Sequence, residues 1–173
     1  MAHDTFKFCP LCGSVLVERL MDGEKPRRAC TACDFIHYAN PTPAAGVIVM
    51  DGRAVLLVKR KYEPKAGMWT LPAGFVEAGE EVAACAVRET KEETNLDVRL
   101  VQVFDVYSAF DDPRTAVVLV LYLAERLRGE LKCGDDASDA RLFDLDRLPE
   151  EVAFRAHRRA LADLKKRFKE GTL

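Results

Sequence analysis

Four cysteines near the start set the tightest limit on what this chain can fold into. They fall in two pairs, Cys9-Pro-Leu-Cys12 and Cys30-Thr-Ala-Cys33, with seventeen residues between the pairs. Two tight turns that each carry two sulfurs are the spacing of a four-thiolate structural zinc site. Gly13 directly follows the first pair and suits such a turn. The alternative is two disulfides or one redox pair. No secretory signal accompanies the cysteines, so Zn²⁺ is the better reading. His37 and His3 are competing ligands that a full set of thiolates does not need. Cys85 and Cys133 stand apart, with no His or Asp motif beside them, and read as ordinary thiols. About forty residues cannot enclose their own apolar core, so metal binding must supply much of the folding energy of residues 1–40.

The pattern changes after the stiff connector Asn40-Pro-Thr-Pro43. Residues 41–173 are long enough for one further domain. "AAGVIVM" and "AVLLVKRK", joined by an Asp51-Gly52 turn, read as a strand hairpin. "YEPKAGMW" reads as loop and Glu80 to about Thr94 as helix. Val98–Tyr107 and Thr115–Glu125 read as long strands joined by "AFDDPR". A short strand over Arg141–Phe143 follows, then a helix from about Pro149. In that last helix Phe154, His157, Leu161, Leu164 and Phe168 recur at helical spacing as a packing stripe. Strands dominate the middle and helices are few, which predicts an α+β sandwich around a mixed sheet.

Composition removes several function classes. Lys and Arg number 26 against 28 Asp and Glu, so no global field draws the chain to nucleic acid or membrane. The longest apolar run, Ala116–Ala124, is too short to span a bilayer. The first ten residues hold no apolar signal core. These features predict a soluble, cytoplasmic protein.

One stretch resists a simple reading. "AVRETKEETNL", Ala86–Leu96, steps at helical spacing, yet glutamates at 89, 92 and 93 crowd one side. Ala83, Val87 and Thr90 fall about a quarter turn away and could pack on a sheet while the carboxylates overhang a cleft. A solvated acidic face is the bland alternative, because exposed like-charge pairs cost only about 0.2–0.5 kcal/mol. The residues upstream favour the cleft. From Gly74 the chain runs five residues to Glu80, seven more, then Arg88-Glu89-Thr90-Lys91-Glu92-Glu93. This resembles the Nudix box, G-x5-E-x7-R-E-U-x-E-E-x-G-U with U apolar. Six fixed residues at ordinary frequencies match by chance in on the order of one such chain in a hundred thousand. Two positions depart: Thr90 takes an apolar slot and Asn95 replaces the glycine. Asn is the best substitute for Gly in the left-handed conformation that closes a helix.

The resemblance implies a phosphoanhydride hydrolase with a Nudix α/β/α sandwich. It casts Glu89, Glu92 and Glu93 as ligands of Mg²⁺ or Mn²⁺, with Arg88 and Glu80 holding helix and loop in place. Hard carboxylate oxygens on one helix suit such cations, and Arg88 can pin a carboxylate through its planar fork. Gly74 would permit a sharp backbone turn. Asp136 and Asp139 lie in "GDDASDARLFDLDRLP", which resembles the family segment carrying a further acidic ligand, and Asp136 is the nearer match. A cysteine ribbon before the box resembles the branch of FAD, ADP-ribose and NADH pyrophosphatases. "VQVFDVYSAFDDPRT" lacks the NADH signature S-Q-P-W-P-F-P-x-S, which favours FAD or ADP-ribose. Pro113 is similar to a proline of ADP-ribose hydrolases, though a hairpin loop explains it equally well. Trp69, Tyr107 and Phe110 could stack on a base or pack in the core. Trp69, Gly74 and Arg114 are carried forward as substrate contacts. The expected partner is a small nucleotide rather than RNA, and a homodimer stays open. The alternatives are an NADH/NAD pyrophosphatase, a decapping-type hydrolase, and a non-catalytic nucleotide sensor with a zinc ribbon.

Overall fold

The computed structural model describes residues 6–21, 25–112, 115–134 and 136–173. The chain divides into two compact units, Met1–Pro41 and Thr42–Leu173. In the first, strands β1 (Leu16–Met21), β2 (Lys25–Cys30) and β3 (Ile36–His37) form an antiparallel sheet in that order. Its core is small: Cys9, Leu16 and Cys30, with Cys33 and Phe35 against them.

The second unit holds a seven-stranded mixed sheet. Its strands are β4 (Thr42–Asp51), β5 (Ala54–Arg60), β6 (Trp69–Thr70), β7 (Ala73–Phe75), β8 (Asp97–Ala109), β9 (Val117–Arg128) and β10 (Ala137–Asp144). The main order is β10-β5-β4-β9-β8, with β6 on β5 and β7 on β4. The β4–β9 pair is parallel and the other pairs are antiparallel. Two helices, α1 (Val82–Thr94) and α2 (Arg155–Glu170), complete it.

The apolar run of β4 explains the layering. Ala45, Val47 and Val49 pack with Cys85 and Ala86 of α1, whereas Ala44 and Ile48 pack with Ala156, Ala160, Leu161 and Leu164 of α2. Alternate residues of one strand therefore face opposite helices, and a strand covered on both sides reads as continuously apolar. The expected sandwich around a mixed sheet is present. No helix among the described residues is long and apolar enough to cross a membrane.

Several local expectations change. The hairpin turn is Gly52-Arg53, one residue later than expected, because Asp51 pairs with Ala54 and Gly52 takes φ 56°. Helix α1 starts at Val82 rather than Glu80, because the Glu80 carboxylate accepts the N–H of Glu77 and holds the loop. Ala83 is exposed, and the buried stripe is Cys85, Ala86, Thr90 and Thr94. Strand β10 is longer than expected because its polar residues pair along β5, with a register shift between Ala137 and Asp139. Helix α2 starts at Arg155 instead of about Pro149. The intervening chain is held extended against β6, where the Trp69 N–H donates to Glu151 O and the Ala153 N–H to Trp69 O, each at 2.8 Å.

Candidate active site

The box residues are assembled by β7, the loop after it, and α1. Arg88 is the hub. Its Nε donates to Glu80 Oε1 at 2.7 Å and its Nη2 to Glu80 Oε2 at 2.9 Å, a two-point clasp between helix and loop. The same guanidinium donates to Phe75 O at 3.2 Å, to Glu89 Oε1 at 2.8 Å and to Glu92 Oε2 at 3.1 Å. Hydrogen bonding from Arg88, above all, holds the Glu80 carboxyl down at about 2, and Glu80 in turn raises Arg88. Cys85 adds a second tie from α1 to β7, its thiol directed at the carbonyls of Gly74 and Phe75.

Gly74 has a different role from the turn expected of it. A Cβ there would lie 2.0–2.2 Å from the carboxyl atoms of Glu89. The glycine is an opening through which Glu89 reaches the strand. Glu93 lies alongside, accepting the Ala73 N–H at 3.1 Å. Burial first, then the charge of Glu89, pushes the Glu93 carboxyl up to about 8. Burial likewise raises Glu89. Two carboxylates packed this way are a strained concentration of negative charge that a divalent cation relieves.

The far end of α1 brings in a third acid. Asn95 closes the helix at φ 59°, ψ 12°, the left-handed conformation for which the sequence prescribes Gly or Asn. Gly134 and Lys132 donate their N–H groups to the carbonyls of Glu93 and Thr94 at 3.1 Å. A Cβ on Gly134 would meet Glu92 O at 1.7 Å, so only glycine allows this approach. The approach sets Asp136 beside Glu93, where its charge contributes to the raised pKa. Asp139 instead pairs with Arg141 at 2.6 Å.

These groups line one cleft of about 310 Å³. Glu89, Glu93, Gly74 and Asp136 border it, together with Lys59, Arg60, Tyr62, Phe75, Asp112, Phe154 and His157. Glu92 is more exposed and is not among the lining residues. Arg88 holds Glu89 and Glu92, whereas Glu93 is held by the Ala73 N–H. Trp69 is not at the cleft: it is 8% exposed and sits edge-on to Phe143, ring centroids 4.7 Å apart. Tyr107 is also buried, its hydroxyl donating to Asp163 at 2.9 Å, while Phe110 is exposed. Arg114 and Pro113 lie outside the described residues, as does His3. Sequence reasoning placed His157 in the packing stripe and missed that it also lines the cleft. A histidine where an apolar residue would serve was the available signal.

In the first unit the four cysteine sulfurs all lie within 4.8 Å of one another, the one such group of potential ligands among the described residues. The Cys9–Cys33, Cys12–Cys30 and Cys12–Cys33 sulfurs are 3.7, 3.4 and 3.6 Å apart. Thiolates about 2.3 Å from one tetrahedral ion stand about 3.8 Å apart, whereas a disulfide needs about 2.05 Å. The cluster fits zinc and not cystine. His37 is outside it.

Residues 40–164 match the NUDIX domain and residues 7–39 match the family described as Nudix N-terminal, a zinc ribbon. The chain belongs to the NUDIX family. This Nudix chain is thereby a hydrolase of a family that requires a divalent metal. An ADP-ribose pyrophosphatase of Methanocaldococcus jannaschii is 44% identical over 118 residues, 68% of this chain and 69% of that protein. A NAD-capped RNA hydrolase NudC of Vibrio atlanticus is 32% identical over 148 residues, 84% of this chain. The Nudix chain spans about half, 52%, of the length of that NudC. The crystal structure of a NUDIX hydrolase from Nitrosomonas europaea aligns with a TM-score of 0.84 at 36% identity, covering 96% of this chain and 94% of that one.

Proposed function

We propose that the chain hydrolyses the pyrophosphate link of a dinucleotide-type substrate, ADP-ribose or FAD ahead of NADH. Cleavage gives AMP plus ribose 5-phosphate, or AMP plus FMN. The observation that carries this reading is the composition of the cleft: Glu89, Glu93 and Asp136 share it with an apolar lining that a bare pyrophosphate does not need. The 44% identical relative named ADP-ribose pyrophosphatase supports the same substrate class.

Glu89, Glu92, Glu93 and Asp136 are the proposed holders of Mg²⁺ or Mn²⁺. Such a cation would screen the pyrophosphate charge and acidify an attacking water. Arg88 and Glu80 fix the helix to the loop, so that Glu89 and Glu93 meet the substrate in one arrangement. Gly74 keeps the place that Glu89 occupies. Arg114 remains a proposed contact, whereas Trp69 acts through packing. Cys9, Cys12, Cys30 and Cys33 hold Zn²⁺ as a structural ion.

A second reading, hydrolysis of NADH or of NAD-capped RNA, has the NudC relative in its favour. Catalytic efficiencies on FAD, ADP-ribose, NADH, NAD⁺, diadenosine phosphates and nucleoside triphosphates separate the two, since selectivity is a ratio of efficiencies. FAD or ADP-ribose should lead. A tenfold preference for NADH or a triphosphate would reject the proposed substrate.

A further inference from the structure

Besides its carboxylates and Lys59, Arg60 and Tyr62, the cleft is lined by small and apolar side chains, among them Ala44, Ala109, Val117, Leu119 and Ala156. His157 stands among them. His157 is 8% exposed, and its Nδ1 accepts the Leu71 N–H at 3.2 Å. A ring nitrogen that accepts carries no proton, so the neutral imidazole holds its proton on Nε2. Burial lowers its pKa to about 4, with Arg60 and Arg158 lowering and Asp111 raising it, so the ring is uncharged near neutral pH. The Nε2–H makes no hydrogen bond with any described residue, although His157 lines the cleft. It is not among the buried, unpartnered side-chain atoms of the described residues, so the His157 Nε2–H opens to the cleft, where a ligand acceptor can meet it.

The neighbours narrow the kind of ligand. The Phe154 ring lies 6.1 Å from the imidazole, tilted by 44°. Arg60 and Lys65 lie over that ring at 5.2 and 5.6 Å from its centroid. A phosphate would seek cations such as Lys59 and Arg60, which border the same cleft. The uncharged donor of His157, with the Phe154 ring and Ala156 beside it, offers a flat heteroaromatic base both a hydrogen bond and an apolar face. We propose that this part of the cleft takes the adenine of the substrate, and that His157 donates its Nε2–H to a ring nitrogen of the base. His157 then selects substrate and takes no part in the chemistry at phosphorus. The inference rests on the dinucleotide reading above, in which adenine is the moiety common to FAD, ADP-ribose and NADH.

The test is calorimetric binding of AMP and its 1-deaza, 3-deaza and 7-deaza analogues, each lacking one ring acceptor. The full zinc-loaded chain is used as wild type, His157→Leu and His157→Gln. In wild type, one analogue should bind about tenfold more weakly than AMP. His157→Leu should bind AMP about tenfold more weakly and no longer distinguish it from that analogue. His157→Gln, whose amide can accept from Leu71 and donate into the cleft, should recover part of the loss. Three deaza analogues within twofold of AMP in wild type overturn the proposal, and so does a folded His157→Leu that still discriminates. Absence of AMP binding at millimolar concentration overturns it as well. Should His157→Leu fail to fold, the wild-type series decides alone. If adenine dinucleotides are not hydrolysed, the proposed function fails. If they are hydrolysed while the analogues bind alike, only the role of His157 fails.

Discussion

A Cβ built on Gly74 stands 2.0–2.2 Å from the carboxyl group of Glu89. The obstacle it would meet is the far end of a flexible side chain, not backbone, so the protein can accommodate Gly74→Ala by swinging Glu89 aside. The consequence for function is larger, because a displaced carboxylate no longer holds its place at the cleft. We expect Gly74→Ala to shift the melting temperature by less than about 3 °C, under about 1 kcal/mol for a chain of this size. Turnover should fall at least about tenfold, as misplacement by an ångström does elsewhere. Circular dichroism melts and steady-state rates check the pair of outcomes. Equal losses of stability and activity would mean that Gly74 matters to the strand and not to Glu89.

At the scale of the elements, α1 was the most legible part of the chain. The proposed chemistry calls for Glu80, Arg88, Glu89, Glu92 and Glu93 at set spacings, and Asn95 marks the end of the helix without reference to any distant residue. Helix α2 was less so. Its stripe of Phe154, His157, Leu161 and Leu164 is visible in sequence, but its start is set by pairing with Trp69, which is 83 residues before Val152 in the chain. The same long-range pairing with β5 hides β10 behind polar residues, and the core position of Trp69 depends on Phe143. His157 carries a prediction at this scale, because it joins α2 to the chain at Leu71. Its folded pKa, about 4, lies below the ordinary 6.5, so the unfolded chain binds the extra proton between those values. Its contribution is therefore intact above about pH 6.5 and is lost as pH falls toward 4, on the order of 3 kcal/mol in total. Urea midpoints from pH 7.5 to 4.5 should fall less steeply in His157→Gln than in wild type. Identical slopes would show that another group governs the acid limb.

At the scale of the whole chain, the two units depend on different forces. Residues 42–173 bury two apolar layers on one sheet, whereas the first unit has a core of a few residues around four sulfurs. Cys30→Ser should therefore lose zinc and unfold the first unit, because metal binding supplies that unit's folding energy. Metal analysis and exchange of its backbone amides read this directly. Stoichiometric disulfides and no zinc in the wild-type protein would contradict the ribbon. The chemistry itself belongs to the second unit, where acids from α1 and from the turn before β10 meet in one cleft. The most direct measurement is chromatography of the products formed from ADP-ribose and FAD, with Mg²⁺ or Mn²⁺ present and again after EDTA. The account predicts AMP with ribose 5-phosphate or FMN, formed only with the cation. Substrate left intact, cleavage elsewhere than the pyrophosphate link, or undiminished hydrolysis in EDTA would contradict it.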